Sequence, residues 1–241
     1  MKYNLKVMIK FLLLIIVFNI STAKAAVTLD RTRIIFEGNQ SSINVTIRND
    51  NSALPYLAQS WLENAAEQKL DMGPIIATPP IQRMEPKSSS LVRLSTSPEI
   101  AKLPQDKESL FYYNLREIPP KSSEVGVLQI ALQSRVKLFY RPESIVAESK
   151  TDWIKKITLT QKTSGYILEN PTPFYLTVIG MGNSKKQSEE TNFEAVMIPP
   201  KTNKSIASKI FPHPYLTYIN DYGGKPTVAF KCQDSKCSVI E

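Results

Sequence analysis

The residues able to do chemistry are few. A single histidine, His213, stands in a Phe-Pro-His-Pro-Tyr string, and two cysteines, Cys232 and Cys237, lie near the C-terminal end of the sequence. That set does not supply the three or four ligands a transition-metal site draws. No G-x-S-x-G, G-x-x-x-x-G-K-S/T or H-E-x-x-H string occurs, so the chain lacks the sequence marks of a nucleophile elbow, a phosphate loop or a zinc helix. A serine nucleophile would depend wholly on His213, whose proline-rich surroundings suit an idle, solvated imidazole. Glu189 and Glu190 lie in Lys185-Lys-Gln-Ser-Glu-Glu190, which reads as a solvated loop. The sequence predicts a protein that is not an enzyme and holds neither metal nor cofactor.

The elements around these residues begin with a targeting device. Lys2, Lys6 and Lys10 precede an apolar run from Phe11 to Phe18, and Ala23-Lys-Ala25 follows. This is a secretory leader over residues 1–25, with cleavage expected after Ala25. The run is far short of the ~20 residues that span a bilayer, so no stable membrane insertion is expected. The leader holds four of the 30 Lys and Arg and none of the 22 acidic residues, which leaves +4 of the formal +8. The remaining cations are scattered, and nucleic-acid binding is not expected. Export also places Cys232 and Cys237 in an oxidising compartment, where they are expected to pair. A catalytic redox pair usually has two intervening residues rather than four, so a structural staple worth roughly 2 kcal/mol is the reading.

The rest of the sequence alternates as strands do. Ile43, Val45 and Ile47 face one way and Asn44, Thr46 and Arg48 the other, the period of a half-buried strand. Further strands are expected over 27–36, 57–63, 90–96 and 110–118, separated by turn-like clusters such as Asn49-Asp-Asn-Ser52 and Pro119-Pro-Lys-Ser-Ser123. No stretch carries a helical stripe capped at both ends. Residues 143–150 are polar and patternless, which suggests a boundary. The same idiom resumes over 153–161, 165–169, 173–180, 193–198, 205–211 and 227–232. Asn49…Leu54-Pro-Tyr and Asn170-Pro-Thr-Pro-Phe-Tyr175 look faintly alike, as in two related sandwiches over 26–142 and 143–241.

One segment exceeds what a sandwich needs. From Val127 to Tyr140 the even positions run Leu128, Ile130, Leu132, Ser134, Val136, Leu138, Tyr140. A strand of that length spans roughly 45 Å, against a usual 17–20 Å. Either it bridges both halves or part of it is an unpaired apolar edge, a feature proteins normally blunt.

Several strings together resemble the periplasmic pilus-assembly chaperones: Leu29-Asp-Arg-Thr-Arg33, Ala77-Thr-Pro-Pro-Ile-Gln-Arg83, Glu108-Ser-Leu-Phe-Tyr-Tyr-Asn-Leu-Arg-Glu-Ile-Pro-Pro120, Lys137-Leu-Phe-Tyr-Arg-Pro142 and Tyr218-Ile-Asn-Asp-Tyr-Gly-Gly224. The resemblance implies an all-β fold of two immunoglobulin-like sandwiches set as a boomerang. It implies a chaperone that completes a pilin subunit with its own edge strand, here with Leu128, Ile130 and Leu132 as the inserted row. Arg33 and Lys137 match the cations that anchor the subunit's C-terminal carboxylate, and Glu108, Arg141 and Asp221 match an interdomain charge cluster. The implied partners are pilin subunits, an adhesin and an outer-membrane usher, and the implied compartment is the periplasm. Free edges also suggest self-association of the unbound chain. A secreted immunoglobulin-like structural or adhesive pilus module is the alternative. The isomers of the bonds before Pro79 and Pro80 are left open by sequence.

Overall fold

The computed structural model describes residues 25–123, 126–190 and 192–240. Apart from Ala25, the expected leader lies outside the described residues. The first ten strands are β1 (Val27–Leu29), β2 (Arg33–Glu37), β3 (Ser42–Asn49), β4 (Tyr56–Asn64), β5 (Lys69–Leu70), β6 (Ile75–Thr78), β7 (Ile81–Met84), β8 (Ser89–Thr96), β9 (Ser109–Ile118) and β10 (Gln133–Arg141). They form two facing sheets, one ordered β1-β3-β8-β6 and the other β2-β10-β9-β4-β5, with β7 also on β4. The alternation read from sequence is kept. Val45 and Ile47 of β3 meet Ile34 and Phe36 of β2, Tyr113 and Leu115 of β9, and Leu138 of β10 in one core.

The second half adds β11 (Thr158–Lys162), β12 (Gly165–Asn170), β13 (Leu176–Gly182), β14 (Val196–Ile198), β15 (Thr202–Ala207), β16 (Tyr215–Ile219), β17 (Thr227–Gln233) and β18 (Lys236–Val239). Their order, β14-β13-β16-β17-β18-β11-β12-β15, wraps a second core that includes Tyr166, Leu176, Val178, Leu216 and Phe230. Cys232 and Cys237 face each other across the β17–β18 hairpin and are joined by a disulfide. The chain is thus mostly β and two-domain.

The faint likeness between the two halves has a physical basis. Asn49 is fully buried; its amide donates to the carbonyls of Leu54, Met84 and Glu85, and its Oδ1 accepts from the Asn51 N–H. Asn170 is likewise buried, donates to the carbonyls of Phe174, Ile198 and Pro199, and accepts from the Thr172 N–H. One asparagine thus closes the same kind of turn in each half, because a single side chain satisfies several buried backbone groups at once.

Several expectations need correction. The stretch from Val27 to Phe36 is two strands, because the chain changes sheets at Asp30: β1 pairs antiparallel with β3, and β2 pairs parallel with β10. The patternless linker contains a helix, α1 (Glu143–Ser149), which buries Ile145 and Val146. The charged string expected as a loop is α2 (Lys185–Glu190), with Ser188 bonded to Thr217. Helices of one or two turns are too short to show a periodic stripe. Trp153–Lys156 is a 3-10 turn rather than the start of a strand. β6, β7 and β16 are strands that the alternation did not announce. The Thr78–Pro79 bond is cis. The largest correction concerns residues 127–140, where regular strand occupies only Gln133 onward.

Candidate functional site: a cation pair beside an exposed apolar run

β10 carries Lys137, Phe139 and Arg141 on the face opposite Leu138, which points into the first core. The parallel register sets Lys137 directly beside Arg33 of β2. The second half of the chain packs over this face, with the Phe139 and Tyr175 rings 5.3 Å apart.

At one end of the face every charged group has a hydrogen-bonded partner of opposite sign. Arg141 donates through Nε and Nη2 to Glu108 Oε1 at 3.0 and 2.8 Å, and through Nη1 to Asp221 Oδ2 at 2.9 Å. The other Glu108 oxygen accepts the Tyr175 N–H at 2.8 Å, and the Glu108 N–H donates to the Pro173 carbonyl. The Arg141 guanidinium lies 4.9 Å from the centre of the Phe174 ring. Glu108 and Arg141 are almost fully buried. Burial pushes the Glu108 carboxyl up to about 7, against the pull of Arg141 and the Tyr175 amide. Burial opposes the charge on Arg141 as well, but the two carboxylates hold its pKa above the usual value. Asp221 is presented by a turn in which Asn220 Oδ1 accepts from the N–H groups of Tyr222 and Gly224. Gly223 is needed there: its φ is +80°, and a Cβ would fall 2.6 Å from Thr32 Oγ1.

Four residues back along the strand, the charges are not matched. Arg33 and Lys137 are half-buried, and neither forms an ion pair among the described residues. Burial lowers the pKa of Arg33, with Asp221 and Glu108 acting against that from a distance. Burial and then the neighbouring Arg33 charge lower Lys137. Arg33 Nη1 donates to the Ile219 carbonyl at 3.3 Å, while its buried Nε has no hydrogen-bond partner among the described residues. Two desolvated like charges are costly together and favour any anion that can lie against both. Arg33 also borders a cleft of about 400 Å³ shared by Thr32, Arg141, Asp221 and Tyr222.

The strand edge leading to this pair is open. β2 begins its pairing at Lys137, so among the described residues Gln133–Val136 of β10 have a strand neighbour only in β9. Before Gln133 the chain leaves the sheet, tied at its root where the Glu117 N–H donates to the Leu132 carbonyl at 2.9 Å. Leu128 is 84% exposed, Ile130 64% and Leu132 43%. The alternating row that buries Leu138 and Tyr140 thus runs out into solvent. An extended segment in line with β2 and parallel to β10 would lie along this edge, with its C-terminal end against Arg33 and Lys137.

The structure therefore brings Arg33 beside Lys137, joins Glu108 to Arg141 to Asp221, and leaves Leu128, Ile130 and Leu132 uncovered. Sequence reasoning missed the backbone partners, namely the Tyr175 N–H and the Pro173 and Ile219 carbonyls. Backbone groups carry no residue-type signal, so only the fold reveals them. Among the described residues no cluster suited to a metal ion occurs, and no helix is long and apolar enough to cross a membrane.

Comparison with known proteins agrees with this architecture. Residues 26–146 match the family described as pili and flagellar-assembly chaperone, PapD N-terminal domain, and residues 152–230 match the pili assembly chaperone PapD, C-terminal domain. The chain is 55% identical over 222 residues to the chaperone protein PapD of Escherichia coli, covering 92% of this chain and 93% of that protein. It is 42% identical to the chaperone protein PmfD of Proteus mirabilis, covering 91% and 89%. Among solved structures, the periplasmic chaperone SfaE superposes with a TM-score of 0.68 at 32% identity, covering 84% of this chain and 98% of that one.

Proposed function

The chain belongs to the PapD-like pilus-assembly chaperone family, a family of chaperones rather than enzymes, and from that premise we propose that it acts in the periplasm by lending a strand edge to pilin subunits. A subunit strand runs along β10 in line with β2, and its C-terminal carboxylate is held by Arg33 and Lys137. Leu128, Ile130 and Leu132 enter the subunit's groove as alternate side chains while the backbone edge supplies the ladder. Each such burial is worth roughly 1.5–3 kcal/mol before ordering costs. The anchor sets the register, because a one-residue slip would turn every inserted side chain away from the groove. The observation that carries this reading is the coincidence of three features along one line of the fold: the exposed apolar row before β10, the open edge at the start of β10, and the unmatched β2–β10 cation pair where the edge ends.

Glu108, Arg141 and Asp221 set the angle between the two halves in this reading. The leader over residues 1–25 is removed on export, and the loaded chaperone passes its subunit, pilin or adhesin, to an outer-membrane usher.

The test is a periplasmic pull-down of a pilin subunit with the native chain and the Arg33→Ala and Lys137→Ala variants. Capture by the native chain, lost in both variants while their folding is intact, is the expected result. Capture that survives both substitutions would leave a sandwich protein that binds by another surface, such as a structural or adhesive module.

A further inference from the structure

The first sandwich contains a buried carboxylate with no paired cation among the described residues. Glu117 of β9 continues the inward-facing row of Tyr113 and Leu115 and is only 5% exposed. Its Oε2 accepts the Val27 N–H at 2.7 Å, and it forms no ion pair among the described residues. The charged groups around the start of β1 are engaged elsewhere. Lys87 Nζ donates to the Asp50 carbonyl, and Arg48 pairs with the Asp50 carboxylate at 2.8 Å. Arg116, next to Glu117 on β9, lies on the opposite face over the Trp61 ring. A carboxylate removed from water with a single hydrogen bond is a costly arrangement, and such groups are normally paired.

The missing cation is one residue away. Consecutive residues advance at most about 3.6 Å, so the Ala26 nitrogen lies within about 3.6 Å of the Val27 nitrogen that already touches the carboxylate. Ala26 is itself buried, and its carbonyl accepts the Asp50 N–H at 2.7 Å, which fixes this end of the chain. In the uncut chain that nitrogen is a neutral amide. Hydrolysis by a leader peptidase adds water across the Ala25–Ala26 bond and yields a carboxylate on Ala25 and an ammonium on Ala26, with no redox change.

We propose that leader removal completes the first sandwich electrostatically: the new ammonium of Ala26 becomes the counter-ion of the buried Glu117 carboxylate. Because the Glu117 N–H also holds the Leu132 carbonyl, processing then tightens the root of the exposed apolar run as well as the start of β1. The proposal rests on cleavage after Ala25 and is independent of the pilin reading.

The experiment compares a folded chain released in vitro so that it begins with a free amine at Ala26, a chain that retains Ala25, and the Glu117→Gln variant of each. The Ala26 chain is expected to melt roughly 5 °C above the Ala25 chain, and the difference should vanish in the Glu117→Gln pair. Its α-amino group, followed by NMR, should titrate at least about one unit above the ordinary 7.7–8.0. Equal melting temperatures, or an ordinary α-amino titration, would overturn the pairing. Mass spectrometry of the exported chain separates the two premises. A start elsewhere than Ala26 overturns the maturation role through its cleavage premise, whereas a start at Ala26 with an unshifted amine overturns the ion pair alone.

Discussion

Two charge groups share one face of β10 and differ in completeness. Around Arg141, two carboxylates and a backbone N–H satisfy one another, and the group joins the two halves of the molecule. Around Lys137, a second cation stands alongside, and neither forms an ion pair among the described residues, with Asp221 and Glu108 acting on Arg33 only from a distance. The difference separates structure from use. A buried charge that has found its partners holds the chain's own geometry, and removing one partner strands the other. A half-buried cation pair without a paired anion is costly to the fold, and in the proposed function it waits for a carboxylate that arrives from outside.

The comparison breaks most sharply under substitution of the matched group. Arg141→Ala leaves Glu108 and Asp221 without their cation and should cost about 3–5 kcal/mol, lowering the melting temperature by roughly 10 °C or more. Calorimetry checks this, and a loss under 1 kcal/mol would mean that the cluster is not holding the halves together. A pH series sharpens the same point. The folded Glu108 carboxyl binds its proton more tightly than an unfolded one, being raised from 4.5 to about 7 by burial. Its contribution to stability is therefore full below about pH 4.5 and is lost as the pH rises through about 7. The native chain should melt at a higher temperature at pH 5 than at pH 7.5, and Glu108→Gln should flatten that slope.

The unmatched group should behave in the opposite way. Lys137→Met removes a desolvated charge next to another cation, so its melting temperature should stay level or rise, while subunit capture falls by roughly 10–100-fold for the lost charge-assisted bond. The smallest effect on the fold belongs to the apolar run. Ile130→Asp lies on an exposed segment and should shift stability by no more than about 0.5 kcal/mol, yet it should abolish capture in a pull-down. A destabilised Ile130→Asp chain with normal capture would reverse the assignment of that segment.

Much of this was legible in the sequence. The alternation at Ile43, Val45 and Ile47 placed a strand correctly, and the even row ending in Leu138 and Tyr140 marked an apolar row longer than a core requires, though only Gln133 onward is regular strand. The row's division was not legible, since Leu128 and Leu138 are the same residue type and only tertiary packing decides which is covered. The two turn asparagines were visible as a faint likeness, whereas their shared role as donors to three carbonyls needed coordinates. Arg33 and Lys137 were singled out only by the resemblance, since nothing in their own sequence surroundings marks them as a pair. Their adjacency comes from the parallel β2–β10 register, which joins residues more than 100 positions apart. The change of sheets at Asp30 was invisible because both sides of it are apolar and strand-like.

The most direct test of the central claim is a binding titration with a peptide that matches a pilin's C-terminal strand, prepared once with a free terminal carboxylate and once as the amide. The account predicts at least about tenfold tighter binding of the acid by the native chain, with the preference reduced to parity in Arg33→Ala. Equal affinity for acid and amide in the native chain would contradict it, and the cation pair would then be no carboxylate anchor.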